Sequence, residues 1–150
     1  MDNIHILETG YLYIFRDLVS DNLIKVGLSS DPFRRLKELA ASTSAPASMS
    51  PCYIWLVDDM RRAEALIHAY LHKHRINERR EYFYISIPEH FEDPSHLSRS
   101  ELTSRLYGLA ESIDDALYYE GFSARLVDID ELYERYKNRI KMFPEGVRGF

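Results

Sequence analysis

Four side chains of different chemistry stand within the first half of the chain: the phenol of Tyr13, the amine of Lys25, the guanidinium of Arg35 and the carboxylate of Glu64. Tyr13 sits in Gly10-Tyr-Leu-Tyr-Ile-Phe15, Lys25 in Leu23-Ile-Lys-Val-Gly27 and Arg35 in Phe33-Arg-Arg-Leu36. Together they are the groups that phosphodiester chemistry asks for, a prepared nucleophile and charge to meet the phosphoryl oxygens. A free tyrosine ionises at about pH 10, so its phenolate is rare at neutral pH. A neighbouring ammonium such as Lys25 favours the phenolate. Conversely, Lys25 crowded by Arg35 could itself act as the base. The residues leave that choice open. Arg35 offers a planar fork that matches two phosphate oxygens.

The elements that must position these groups follow from local pattern. Residues 11–16 and 23–28 are rich in β-branched, aliphatic and aromatic side chains, the strand signature, and the polar-ended loop between them has hairpin length. With the turn centred near Val19, Tyr13 falls opposite Lys25. Alternation then puts Leu12, Ile14, Ile24, Val26 and Leu28 on an apolar core face. Tyr11, Tyr13, Phe15, Lys25 and Gly27 share the other, expected as the exposed working face. Asp31 and Pro32 start a helix to about Ala41, with Phe33, Leu36 and Leu39-Ala40 inward and Arg34, Arg35 and Lys37 as its basic flank. A Ser/Ala/Pro loop over 42–50 precedes a third strand, Tyr53–Val57. Asp58-Asp59 caps a second helix from about Met60 to Arg75, with Ala63, Leu66, Ile67, Tyr70 and Leu71 toward the core. Glu81–Ser86 is another strand or an extended cover piece.

From Pro88 the character changes. A linker-like stretch over 89–98 leads to helices over 100–119, ending near Gly121, and 129–142, stopped by Pro144 and Gly146. The expected class is α+β: a small antiparallel three-stranded sheet, four-stranded if Glu81–Ser86 joins it, flanked by helices and followed by a C-terminal helical extension. The expected division is 1–88 for the domain bearing the four groups and 89–150 for the extension, packed on or beside it.

The totals bound the function. A chain of 150 residues with 45% hydrophobic residues supports one compact domain with a real core. Its one cysteine, Cys52, excludes an internal disulfide and a cysteine-built zinc site; it lies in an apolar run and reads as a buried thiol. No signal peptide or membrane span is read, so a cytoplasmic protein is expected. The net charge of −5 is uneven. Residues 1–88 carry 11 Lys and Arg against 11 Asp and Glu, and the remainder 8 against 13, so the acidic excess lies in the extension. A neutral first part can still present a basic face.

The order Gly-x-aliphatic-Tyr, a loop, Lys-Val-Gly, Asp-x-x-x-Arg and a helix bearing Glu resembles the GIY-YIG nuclease superfamily. More closely it is similar to the phage and bacterial branch typified by a T5 phage open-reading-frame domain, where the second motif is Lys-Ile-Gly and a Glu-aromatic-Phe segment closes the domain. The match covers about residues 8–87. The resemblance implies a three-stranded antiparallel sheet flanked by helices. It also implies one divalent metal, Mg²⁺ or Mn²⁺, held by Glu64, with Tyr13 preparing the attacking water and Arg35 steadying the scissile phosphate. Lys25 stands where the wider superfamily has a second tyrosine, a position where some family nucleases also carry lysine. Glu64 alone suits Mg²⁺, which keeps most of its waters.

Arg34, Lys37, Arg61, His68, His72 and Arg75 form a basic surface that would track a phosphate backbone, with Arg79-Arg80 extending it. Each also has a plainer reading. Tyr13 would serve as a sheet aromatic, Lys25 as a solvated strand residue, Arg35 as the partner of Glu38 or Asp31, and Glu64 as the partner of His68 at i,i+4. Glu64, His68 and His72 have the spacing of helical zinc ligands, a weaker alternative. In the extension Tyr118, Tyr119, Tyr133, Tyr136 and Phe143 read as packing residues.

The expected function is a metal-dependent endonuclease acting on duplex or branched DNA. Two alternatives stand beside it. One is a DNA-binding module that keeps the fold without the catalysis. The other is an interaction domain whose acidic helices meet a second copy or a partner protein through residues 89–150.

Overall fold

The computed structural model describes residues 7–41, 49–76, 81–87 and 96–141. Four expectations lie outside these residues: most of the 42–50 loop, Arg79-Arg80, most of the 89–98 linker, and Phe143 with the stop at Pro144 and Gly146. The elements in chain order are β1 (Gly10–Asp17), β2 (Leu23–Ser29), α1 (Pro32–Ala41), β3 (Met49–Val57), α2 (Met60–Tyr70), β4 (Tyr82–Tyr84), α3 (Arg99–Tyr119), β5 (Ala124–Leu126) and α4 (Ile129–Lys141). A short 3-10 helix, His72–His74, follows α2. The class is α+β, with one antiparallel sheet in the order β4-β2-β1-β3-β5. The sheet is thus wider than the three or four strands expected: Tyr82–Tyr84 joins one edge and β5, from the part read as purely helical, joins the other.

β1 is central, so both of its edges are paired, and helices cover both of its faces. Leu12, Ile14, Ile24, Val26, Trp55 and Phe83 form one core with Ala63, Ile67 and Leu71 near or on α2 and Leu102, Leu106, Ile113 and Leu117 on α3. Tyr13, Phe15 and Ile54 form a second core with Phe33 and Leu39 of α1, bordered by Leu132 and Tyr136 of α4. This corrects the expectation of an exposed working face. The apolar stripes of α1 and α4 need a surface, and tyrosine and phenylalanine rings supply one.

The hairpin register is also corrected. The Asp17 carboxylate accepts a hydrogen bond from Ser20 N at 2.9 Å, and Leu23 N donates to Ser20 O at 3.0 Å. This centres the turn on Ser20 rather than Val19. Every pair moves by two residues, so Tyr13 faces Gly27 and Phe15 faces Lys25. A shift of two preserves the faces, so both face assignments stand although the partners change.

α1 begins as read, with Arg34 N donating to Asp31 Oδ1 at 3.3 Å. α2 is capped by Asp59 but ends at Tyr70 rather than Arg75. There the chain tightens into the 3-10 turn, and Arg75 bridges to Phe83 at the outer edge of β4. Tyr70 is exposed rather than inward. α3 starts with a full capping box between Ser98 and Glu101 and ends before Gly121, whose φ of +83° suits glycine. Tyr118 and Tyr119, expected to pack, are 75% and 81% exposed, whereas Tyr133 and Tyr136 do lie against Phe33. No helix among the described residues is long and apolar enough to cross a membrane.

The shared core makes a direct prediction. Ile113 of α3 is fully buried among residues of β1, β2 and α2, so Ile113→Ala should destabilise the sheet itself, by about 2–5 kcal/mol. Trp55, the single tryptophan, reports from that core. In urea its fluorescence transition should move to lower concentration with unchanged slope. An unmoved Trp55 transition would contradict a common core.

Candidate active site

Tyr13 is held by what it lies on. Its ring stacks on Phe15, with centroids 3.9 Å apart and planes 15° from parallel. Its hydroxyl occupies the space above residue 27, where a Cβ would overlap it. Glycine at 27 is therefore a condition of the phenol's position. Across from it, the Arg35 guanidinium, which can only donate, bonds to the Tyr13 oxygen. Arg35 also pairs with Glu38 at 3.5 Å, so its plain helix contact and its site contact coexist.

Lys25 is placed by the end of β4. That strand pairs with β2 only over Leu23–Lys25, and the next step is made by Val26 N donating to Glu81 O at 2.9 Å. Glu81 is thereby set beside Lys25, and its carboxylate pairs with Lys25 Nζ. The ammonium lies 4.9 Å from the centre of the Tyr82 ring. On the same strand the Val26 carbonyl accepts from His68 Nε2 at 2.8 Å, which fixes α2 against β2. Glu64, one turn earlier, approaches His68 Nε2 at 3.9 Å and senses Glu81 and Lys25.

The electrostatics follow from this crowding. Burial pushes the Tyr13 phenol up to about 12 from 10.0; the Glu81 and Glu64 charges add to the rise and Arg35 opposes it. Burial likewise raises the Glu64 carboxyl above its usual range, with Glu81 adding and His68, Lys25 and Arg61 opposing. Burial alone would lower Arg35, but Tyr13, Glu81 and Glu38 more than offset it, so it is held above its ordinary value.

Tyr13, Lys25 and Arg35 thus gather around Glu81, within electrostatic range of Glu64, although Tyr13 is 1% and Lys25 2% exposed. Arg35, Glu64 and Glu81 retain more surface. Among the described residues no cluster of three or more His, Cys, Asp or Glu converges as metal ligands. The His68 Nε2 proton is committed to Val26 O, and His72 lies beyond the end of α2, so the zinc spacing is not realised as a helical trio. A partly buried carboxylate such as Glu64 does suit a Mg²⁺ ion, which needs few protein ligands.

The expected basic surface is divided. Arg34 and Lys37 are exposed on α1, Arg61 pairs with Glu8 at 2.7 Å, and Arg75 stacks over Phe83 at 5.3 Å on the other face of the sheet. His68 is engaged with β2, while His72 is exposed. The residue that the sequence reading left without a role is Glu81. Its signal was the Glu-aromatic-Phe segment, but nothing local in the sequence ties Glu81 to Lys25.

A model of the T5orf172 domain matches residues 10–94, more than half of the chain. The chain belongs to the T5orf172 family. The matched stretch opens at the first residue of β1 and passes β4, so Tyr13, Lys25, Arg35, Glu64 and Glu81 all lie within the T5orf172 domain. No curated protein and no solved structure matches the chain.

The raised phenol links the site to stability. The buried neutral form of Tyr13 favours folding fully below pH 10, and that contribution is lost as the pH rises from 10.0 toward 12. Relative to a Tyr13→Phe variant, the parent should lose about 3 kcal/mol across this window. Urea unfolding of the two at pH 9 and pH 12 measures it; parallel losses would contradict the burial of this phenol.

Proposed function

We propose that this corner of the T5orf172 domain hydrolyses DNA phosphodiester bonds as a metal-dependent endonuclease of the GIY-YIG type. The observation that carries the reading is the Tyr13 hydroxyl seated over Gly27 and bonded to Arg35, close enough to Glu64 for that charge to act on the phenol. The T5orf172 domain is associated with nuclease-related phage proteins, which agrees with it.

In this reading the Arg35 fork receives the phosphoryl oxygens, and Lys25 adds positive charge from beneath. Tyr13 orients the attacking water through its hydroxyl. Glu64 would hold one Mg²⁺ or Mn²⁺, which when bound stabilises charge on the phosphate and lowers the pKa of water. Duplex or branched DNA is the substrate, with Arg34 and Lys37 beside Arg35 meeting the flanking backbone.

The burial of Tyr13 and Lys25 favours one rival, a DNA-binding module on the same fold that does not cleave. The two readings separate on supercoiled and branched DNA with Mg²⁺ or Mn²⁺. The endonuclease should nick or cut, with Tyr13→Phe, Arg35→Ala and Glu64→Ala each reducing the rate by roughly 10²-fold or more. Salt-dependent gel shifts without cleavage would establish the rival instead. Cleavage that is equal in parent and Glu64→Ala across metals would remove this corner from the chemistry.

A further inference from the structure

Glu81 belongs to neither the nucleophile, the phosphate fork nor the metal carboxylate. We propose that it is a positioning residue, whose carboxylate holds the Lys25 ammonium at the Tyr13–Arg35 corner so that Lys25 acts as a fixed positive charge. The inference rests on the endonuclease reading, because it gives Lys25 its part in that chemistry.

Three observations carry it. First, Lys25 is 2% exposed, and its ion pair among the described residues is with Glu81. A buried ammonium needs a partner, since an unpaired charge in an apolar setting is costly. Second, the pair is set by backbone as well as side chain. Lys25 stands opposite Tyr82, Val26 N bonds to Glu81 O, and Ile76 N bonds to Tyr82 O at 3.1 Å, so the segment bearing Glu81 is tied on both sides. Third, the other groups around Lys25 have other partners. Glu64 of α2 is with His68, and Arg35 of α1 is with Tyr13 and Glu38. Glu81 pairs with Lys25 and holds it in place, which leaves the Glu64 carboxylate to a cation. The opposing role, in which Glu81 occupies the place of a phosphate and blocks it, is separated by the test. The two roles predict opposite outcomes when the charge is removed.

The test uses the full chain. In Glu81→Gln, single-turnover cleavage should fall by roughly tenfold or more while the DNA affinity stays the same, the pattern of a lost transition-state interaction. Lys25→Gln and the double variant Lys25→Gln/Glu81→Gln should be equally slow, because Glu81 acts through Lys25. The double variant leaves no buried orphan charge and so serves if Glu81→Gln does not fold. A double variant slower than Lys25→Gln, or a Glu81→Gln protein that binds more tightly and cleaves faster, would overturn the proposal. A second readout needs no cleavage. The side-chain ammonium resonance of Lys25, assigned by its absence in Lys25→Gln, should be protected from exchange in the parent and lost in Glu81→Gln. Its persistence in Glu81→Gln would overturn the proposal. Protection in a parent that cuts no DNA, with loss in Glu81→Gln, would keep the Lys25–Glu81 placement and remove the endonuclease reading.

Discussion

The constraint on which the rest depends is the missing side chain at residue 27. Gly27 pairs with Tyr13 across the hairpin, and the phenol lies where its Cβ would stand. That approach turns the hydroxyl toward Arg35 and lets the ring stack on Phe15. The Tyr13–Phe15 surface in turn receives Phe33 and Leu39, which fixes α1 and hence the helix that bears Arg35. α4 completes the cover, and its Arg139 reaches back to Asp31 at the start of α1 at 2.8 Å.

The second organising feature is a near balance of charge in a confined space. Lys25 and Glu81 form an ion pair, and their neighbours are Arg35, Glu64 and the neutral Tyr13 phenol. Burial disfavours the charged forms of Tyr13 and Glu64, which is why both rise. The guanidinium donates to the phenol oxygen, leaving the phenol's own proton for another acceptor.

Much of this was legible in the sequence. Strand alternation identified both faces of the hairpin, and those assignments tolerate a two-residue register error because the strand period is two. The register itself was hidden because it hangs on the Asp17 side chain bonding to the loop backbone, a choice that composition does not reveal. β5 was missed because Ala-Arg-Leu is too short to show a pattern and pairs only because β3 offers a free edge. Tyr118 and Tyr119 were misjudged by residue type; the helical phase of Ile113 and Leu117 turns them outward. Glu81 escaped because its ion pair joins positions 56 residues apart.

In the proposed endonuclease reading, Tyr13 and Arg35 act as one unit rather than as two independent contributors. Single-turnover cleavage of DNA in Mg²⁺ by Tyr13→Phe, Arg35→Ala and the double variant tests this most directly. Groups that work as a unit are non-additive, so the double variant should be little slower than the slower single. Rate losses that multiply in the double variant, or a parent that does not cleave, would contradict it.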